Sequence, residues 1–474
     1  MKINTNVSAM LASGHLNQTH DNLTTSLERL SSGYRINRAA DDAAGMAISQ
    51  KMHAQIRGLQ RASRNGADGI SFIQTAEGAL TEVDNMLQRC RELSVQAANG
   101  GAMTTADKEA IQKEIEALMQ EIDRLSSDTE FNTKSMLDGT CCRQTSSDNV
   151  GVRVVSMTDY VGLTTYEMTV DKQPTQADLT TTLDPGGFPL TTSGKVQING
   201  EVIDLYAGET LEDAYAKIRD CCEFMNIDVV PTNGGGMEDQ TDIKNATSLF
   251  FQSKQYGSQY KIEFTTDSPE LGNKLGVANA SGNQGTDAEV TIDTGASSGF
   301  SKTATTFIEG GRVTVSDRDG FCMIFDVSEA KAGSDAAVTV LDAGFVAIQI
   351  GANEGQTIDI SIPPVTCESL NIQYCNVCTV AGASDSISKF NAAIEEVSAI
   401  RAKLGAYENR LDSATTSLDT TTQNLTEACS RIEDVDMSEE MTNYTQLSVL
   451  SQAGTSMLAQ ANNRPQTILQ LLQA

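Results

Sequence analysis

Val397-Ser398-Ala399-Ile400-Arg401-Ala402-Lys403-Leu404-Gly405-Ala406-Tyr407-Glu408-Asn409-Arg410-Leu411 carries the pattern that decides the fold. Val397, Leu404 and Leu411 recur at heptad spacing, and Leu418, Leu425 and Ile432 continue the series. Ile400, Tyr407, Ala414, Thr421, Ala428 and Val435 fill the second seam position. Alternating steps of three and four put one narrow apolar stripe on a helix, and such a stripe needs another helix to cover it. As a helix, 397–435 runs about 58 Å. Moving outward, Ile73, Ala76, Leu80, Val83, Leu87, Cys90 and Ala97 show the same spacing near the other end, and Ile111, Ile115, Leu118, Ile122 and Leu125 repeat it. The two ends predict long coiled-coil helices in a subunit built to assemble, not a compact enzyme.

Proline marks where helix gives way. All eight prolines lie at or after Pro174, seven of them between Pro174 and Pro364, and only Pro465 falls in the last hundred residues. An interior proline costs a helix about 3 kcal/mol, so both ends are free for long helices. Leu16, Leu23, Leu27 and Leu30 lie on one face of a first helix over 1–40, which breaks at Ser31-Ser32-Gly33. Helical pattern resumes at about Ile48 after the polar Asp41-Asp42-Ala43-Ala44-Gly45 link, stops at Asn99-Gly100 and restarts near Thr105. The middle changes to a period of two. Val196-Gln197-Ile198-Asn199-Gly200-Glu201-Val202-Ile203-Asp204-Leu205 reads as a hairpin, followed by a short amphipathic helix at 210–220. Residues 347–362 read as a second hairpin, and 233–236 and 279–304 as loops. Helix returns at about Ser384 and continues, with room for a break, to a last stripe of Leu447, Leu450, Gly454, Met457 and Ala461, then Ile468, Leu469 and Leu472. Such bare stripes are marginal alone in water and must pack on each other or on neighbouring subunits.

The chain has 474 residues, enough for about two to four domains. Aromatics make up 5% and Trp is absent, lean for deep pockets but ordinary for Ala- and Leu-rich coiled coils. The net charge of −29 argues against nucleic acid or an acidic membrane as partner. About −18 of it falls in 141–365, as expected of a solvated outer surface. No stretch approaches the roughly 20 apolar residues of a membrane span. Met1-Lys2-Ile3-Asn4-Thr5-Asn6 lacks the apolar core of a secretory signal peptide, so the expectation is a cytoplasmic protein or one exported by another route. Cys141-Cys142 and Cys221-Cys222 are adjacent pairs that rarely bridge each other. Cys375-x-x-Cys378, with Cys367 nearby, has metal-ligand spacing but no second pair, and His15, His20 and His53 are far off in sequence. The ten cysteines are therefore read as free or structural thiols.

Longer runs at both ends are recognisable. Leu30-Ser31-Ser32-Gly33-Tyr34-Arg35-Ile36-Asn37 and Ala40-Asp41-Asp42-Ala43-Ala44-Gly45-Met46-Ala47-Ile48 resemble bacterial flagellin, the subunit of the flagellar filament. So do Ala402-Lys403-Leu404-Gly405-Ala406, Glu408-Asn409-Arg410-Leu411, Ser430-Arg431-Ile432-Glu433-Asp434 and Gln452-Ala453-Gly454-Thr455-Ser456-Met457-Leu458-Ala459-Gln460-Ala461-Asn462. The resemblance covers about 1–140 and 345–474, in the family's order. It implies a fold that is mainly α at both termini (long coiled-coil helices) with β-rich α+β outer domains between them. The implied plan is 1–40 and 437–474 as the innermost helices, 41–140 and 344–436 as the second layer with its hairpin and long helix, and 141–343 as the variable outer domains. The assembly core implied is Leu16, Leu23, Leu30, Val397, Leu404, Leu411, Leu418, Leu425, Ile432, Leu450 and Leu458. The resemblance further implies a helical homopolymer for motility, type III export with a secretion chaperone, hook-associated and cap proteins as partners, an extracellular filament, and no cofactor. Ten cysteines, and Glu408 where many relatives have Gln, depart from the family's pattern.

The middle contains no His, so the His-Glu-x-x-His zinc helix that some flagellins resemble cannot be built there. Gly234-Gly235-Gly236 lacks the lysine of a phosphate-binding loop, and no catalytic constellation appears. Leu87-Gln88-Arg89-Cys90-Arg91-Glu92-Leu93 resembles the flagellin stretch recognised by Toll-like receptor 5. Leu87, Gln88, Arg89 and Leu93, with Glu114 as a supporting acid, are the candidates that this resemblance implies. The plainer reading makes Arg89 and Glu114 ordinary surface charges at filament contacts, and both readings can hold together. Asn245-Ala246-Thr247 and the Ser/Thr-rich middle fit either glycans or bare loops. A hook–filament junction protein and an adhesive surface filament subunit are the alternatives.

Overall fold

The computed structural model describes residues 6–99, 101, 103–158, 160–184, 188–234, 237, 241–278, 280–295 and 298–473, with side chains described as far as Arg464. In chain order the helices are α1 (Val7–Ser32), α2 (Ala43–Ala97), α3 (Thr105–Asp128), α4 (Leu211–Phe224), α5 (Pro269–Leu275), α6 (Val380–Glu433) and α7 (Met437–Gln473). The chain divides into two compact units: Met1–Asp68, Gln349–Ile358 and Arg410–Ala474 form one, and Gly69–Ile348 and Asp359–Asn409 form the other. Among the described residues no helix is long and apolar enough to cross a membrane.

In the first unit, α1 starts at Asn6, whose side-chain oxygen accepts from the Ala9 N–H at 3.2 Å. It ends on Gly33, at φ 78, a left-handed conformation that glycine adopts without a Cβ penalty. The Asp41 carboxylate then accepts the N–H groups of Arg38 and Asn37, and these bonds, Arg38 first, hold its pKa below the usual range. Asp42 accepts from the Gly45 N–H at 2.9 Å at the start of α2. On the return, α6 stops at Glu433 and α7 starts at Met437, a break for which the sequence left room. The two turns are zipped together: Tyr34 bridges Asp434, the Arg35 N–H donates to Glu433 O, and the Val435 N–H donates to Gly33 O. Two stretches about 400 residues apart in sequence thus meet as one backbone elbow.

In the second unit, Ile73, Ala76, Leu80, Val83, Leu87, Cys90 and Ala97 of α2 are all buried, as are Val397, Ile400 and Leu404 of α6. Gln74 bonds Glu408, and Arg401 reaches Glu77 and Asp84 at 3.5 Å each, so polar pairs flank the apolar seam. The seam of α3 differs from the expected one. Its buried row is Lys108, Ile111, Gln112, Ile115, Met119, Ile122 and Ser126, while Leu118 and Leu125 are half-buried. Gln112 and Ser126 occupy the row because backbone satisfies them. The Gln112 amide accepts from the Val377 N–H at 2.9 Å and donates to Cys375 O at 3.2 Å, and Ser126 donates to Leu137 O at 2.8 Å.

The middle has two cores. An antiparallel sheet of Glu289–Ile292, Thr165–Lys172, Ser334–Val340 and Thr145–Ser147 shares one core with a sheet of Thr305–Glu309, Arg312–Ser316, Cys322–Asp326 and Arg153–Met157. Glu289–Ile292 corrects the reading of 279–304 as loop throughout. Inserted between Thr165–Lys172 and Glu289–Ile292 is a module with its own core. It comprises the sheets Gln176–Thr182, Ser248–Tyr256, Ile227–Thr232 and Phe264–Thr266, Gly194–Ile198, Glu201–Leu205, with α4. The Asn-Gly hairpin is there, with Asn199 at φ 44 and Gly200 at φ 100 and Ile198 paired to Glu201, as a two-residue turn with two positive φ angles requires. Val346–Gln349 and Thr357–Ile360 form the second hairpin. Residues 235–236 of the Gly-rich stretch lie outside the described residues.

Candidate assembly surface

The terminal pair, α1 and α7, is where unsatisfied surface collects. Leu16, Leu23 and Leu30 are half-buried, and buried Ser26 completes their row; Leu27, expected on that face, is exposed, about one residue's rotation away. On α7, Leu447, Ser451, Gly454, Leu458 and Ala461 form the less exposed row. A Cβ at Gly454 would lie 3.2 Å from the Leu16 side chain, so the missing side chain permits close approach of the helices. Arg29 faces Glu440 at 3.9 Å near the other end of the pair.

Proline inside α7 leaves a further mark. Pro465 has no N–H to donate to Ala461 O, four residues back. The Asn6 side-chain amide donates to that carbonyl at 2.9 Å. One asparagine thus caps the start of α1 with its oxygen and supplies the donor that α7 lacks with its nitrogen. The sequence signal was available, as a proline in a helical run with its orphaned carbonyl, but it does not name the partner. The side chains of Ile468, Leu469 and Leu472 lie outside the described residues.

Apolar side chains remain facing water on both helices. Val7, Met10, Leu11 and Leu27 are exposed on α1, and Met437, Met441, Val449, Leu450 and Met457 on α7, Met10 to 73% and Met457 to 65%. Leu450 and Met457, read in the same stripe as Leu447 and Gly454, therefore face away from α1. On α6, Leu411 is buried, Leu418, Leu425 and Ile432 are half-buried, and Thr421 is exposed and drops out of the seam.

The candidate receptor stretch lies on α2 beside α3. Arg89, its side chain 50% exposed, donates through Nε and Nη2 to Glu114 Oε1 at 3.0 and 2.8 Å, and its Nη1 lies 3.4 Å from Glu92. The Glu114 carboxylate holds the guanidinium more firmly protonated than usual. Gln88 is exposed and donates to Asp84 at 3.0 Å. Leu87 and Leu93, named with them as candidates, are buried on the same helix.

All ten cysteines are free thiols. Burial pushes Cys90 and Cys378 up to about 12 and Cys375 to about 11, so these thiols stay protonated near neutral pH. The Cys375-x-x-Cys378 turn is held through its backbone by Gln112, as described above.

Comparison with known proteins matches these features to one family. Residues 3–141 match the bacterial flagellin N-terminal helical region and 387–472 the bacterial flagellin C-terminal helical region. The chain is 32% identical to a flagellin of Salmonella muenchen over 511 aligned residues, covering 99% of each. It is 33% identical to a flagellin of Clostridium tyrobutyricum over 468, covering 98% of this chain and 100% of that one. Among solved structures, hook associated protein-3 of Legionella pneumophila aligns at 13% identity and a TM-score of 0.30, covering 81% of this chain and 98% of that one, too weak a likeness to carry weight. With that family's helical regions at both ends and near-complete coverage of curated flagellins, the chain belongs to the bacterial flagellin family, whose members are structural subunits of filaments.

Proposed function

We propose that this chain polymerises through the exposed apolar faces of α1 and α7, with a second copy of itself as the occupant. The observation that carries the reading is the row of Met10, Leu11, Val449, Leu450 and Met457, left in water on helices that already pack on each other. Methionines and leucines at helical spacing on so exposed a face seek apolar cover, and a repeating copy offers it along an open, helical assembly. The half-buried Leu418, Leu425 and Ile432 add surface for neighbours. The residue assignments of the assembly core and the five-part domain plan belong to this proposal. Export by the flagellar type III route, a chaperone over the C-terminal helix, hook-associated and cap proteins at the filament ends and an extracellular location are expectations carried from the family.

The test uses seeded polymerisation followed by sedimentation and electron microscopy. Leu450→Asp, on an exposed site, is expected to leave a folded monomer with unchanged helical content and to abolish or strongly reduce filaments. Normal filament yield from Leu450→Asp would overturn the assignment of this face.

A second role rests on the Gln88–Arg89–Glu114 face: recognition of the monomer by Toll-like receptor 5. Its support is the exposed, preorganised Arg89–Glu114 pair within a run that resembles the recognised stretch. An immune receptor reading an assembly surface would meet a face that the polymer covers, so monomer would bind far better than filament.

A further inference from the structure

His53, far in sequence from the Cys375-x-x-Cys378 pair, lies against Cys429. The His53 Nε2 is 2.7 Å from Glu433 Oε2 and 3.6 Å from Cys429 Sγ, and Cys429 Sγ is 3.7 Å from the same carboxylate oxygen. Among the described residues this is the one group of three metal-ligating side chains whose donor atoms gather within 4.8 Å of one another. Cys429 and Glu433 stand one turn apart on α6 and His53 comes from α2, all within the first unit.

We propose that His53, Cys429 and Glu433 bind a zinc-like divalent cation that ties α2 to α6 beside the elbow. Zinc bonds of about 2.3 Å to sulfur and about 2.0–2.2 Å to nitrogen and oxygen set tetrahedral edges of about 3.4–3.6 Å. The two edges that involve sulfur already have nearly that length. The third, between His53 and Glu433, is a hydrogen bond, and it must open by about 0.7 Å as the ion replaces the shared proton. The thiol proton passes to solvent, and the proton in the His53–Glu433 hydrogen bond moves to Nδ1 or to solvent so that Nε2 offers its lone pair.

The donor set selects the ion. Thiolate with imidazole excludes magnesium and calcium, which take oxygen ligands, and suits zinc or its neighbours among the first-row metals. Cys429 is only 3% exposed, so the ion would be half enclosed, whereas the His53 side chain is 46% exposed and leaves an entry path and room for water as a fourth ligand. The frame is held before the ion arrives, because the backbone of Glu433 accepts from the Arg35 N–H and α6 ends there. A cation at this point would act as a staple between helices, stabilising the folded first unit in proportion to its occupancy.

Cobalt(II) is the probe, because a thiolate–cobalt bond adds near-ultraviolet absorption. The reduced, metal-stripped full-length monomer is titrated with Co2+, and the colour is then competed away with Zn2+. The wild type is expected to saturate near one equivalent and to lose the band on adding zinc. His53→Gln, at an exposed site, and Cys429→Ser should each abolish the band while the other nine cysteines remain in place. Circular dichroism verifies folding, and if Cys429→Ser loses helix, His53→Gln decides alone. No saturable thiolate band in the wild type, or a band retained in folded His53→Gln, would overturn the site and leave a plain His53–Glu433 pair. The measurement is made on monomer, so it stands apart from whether the chain polymerises.

Discussion

Arg89 shows how one side chain can be exposed and still ordered. Its two donors to a single Glu114 oxygen orient the guanidinium, while Glu92 flanks it on the same helix. Surface ion pairs add little to folding, because solvent screens them and ordering two long side chains costs entropy. Their worth lies in presenting a fixed polar group to a partner, which is why arginine recurs among binding hot spots. Arg89→Ala is therefore expected to weaken monomer binding to purified Toll-like receptor 5 ectodomain by roughly tenfold or more, with an unchanged thermal midpoint. Equal affinities of wild type and variant would show that Arg89 serves only the filament surface. Asn6 makes the complementary case, since both ends of its amide are used within the chain: N-cap preference points to the bond from Ala9, but neither propensity nor periodicity points to the bond to Ala461 O.

At the scale of the element, packing ranks the seam positions that spacing treats as equal. Leu411 is fully buried, whereas Leu418, Leu425 and Ile432, in the same heptad position, are only half so. Leu411→Ala should therefore cost about 2–5 kcal/mol through lost packing and a cavity, and Leu411→Asp more, through an unpaired buried carboxylate. Thermal unfolding of the monomer reads this out, and Leu418→Ala should shift the midpoint less. An unchanged midpoint for Leu411→Asp would mean that the register is wrong. Heptad spacing was legible in the sequence because apolar residues on one stripe have to be covered. The phase of each stripe was less so. Leu27 against Ser26, Leu118 against Met119 and Leu125 against Ser126 are single-residue choices, decided by which neighbour the helix meets and, at Ser126, by the backbone acceptor Leu137 O. The Asn199-Gly200 turn was legible because few other pairs tolerate two positive φ angles. The short strand Glu289–Ile292 was not, as its pairing with Thr165–Lys172 spans a whole inserted module. The His53–Cys429–Glu433 group was equally hidden, since only the pairing of two distant helices brings its members together.

For the whole molecule, the middle region is built to be carried by the helices. Two cores of its own hold it together. Its ties to the segments around α3 and before α6 include hydrogen bonds from Thr105 to Glu201, from Arg312 to the carbonyls of Glu368 and Ser369, and from Asn226 and Gln255 to Tyr374 O. Its entry and exit run side by side, because Thr145 pairs with Val340, and the Leu341 N–H donates to Gln144 O at 2.9 Å. Paired antiparallel residues have Cα atoms only about 4.5–5.5 Å apart, so a few flexible residues can join the cut ends without strain. Removing about 145–340 also removes most of the net negative charge, which lowers repulsion between neighbouring copies without touching the apolar faces of α1 and α7. The shortened chain is therefore expected to fold its helices and still polymerise on seeding, into thinner filaments visible by electron microscopy. Polymerisation should also depend less on salt than in the full chain, since fewer like charges remain to be screened. Failure to form filaments, with helical content and the Leu411-dependent unfolding transition intact, would move essential subunit contacts from the terminal helices into the middle.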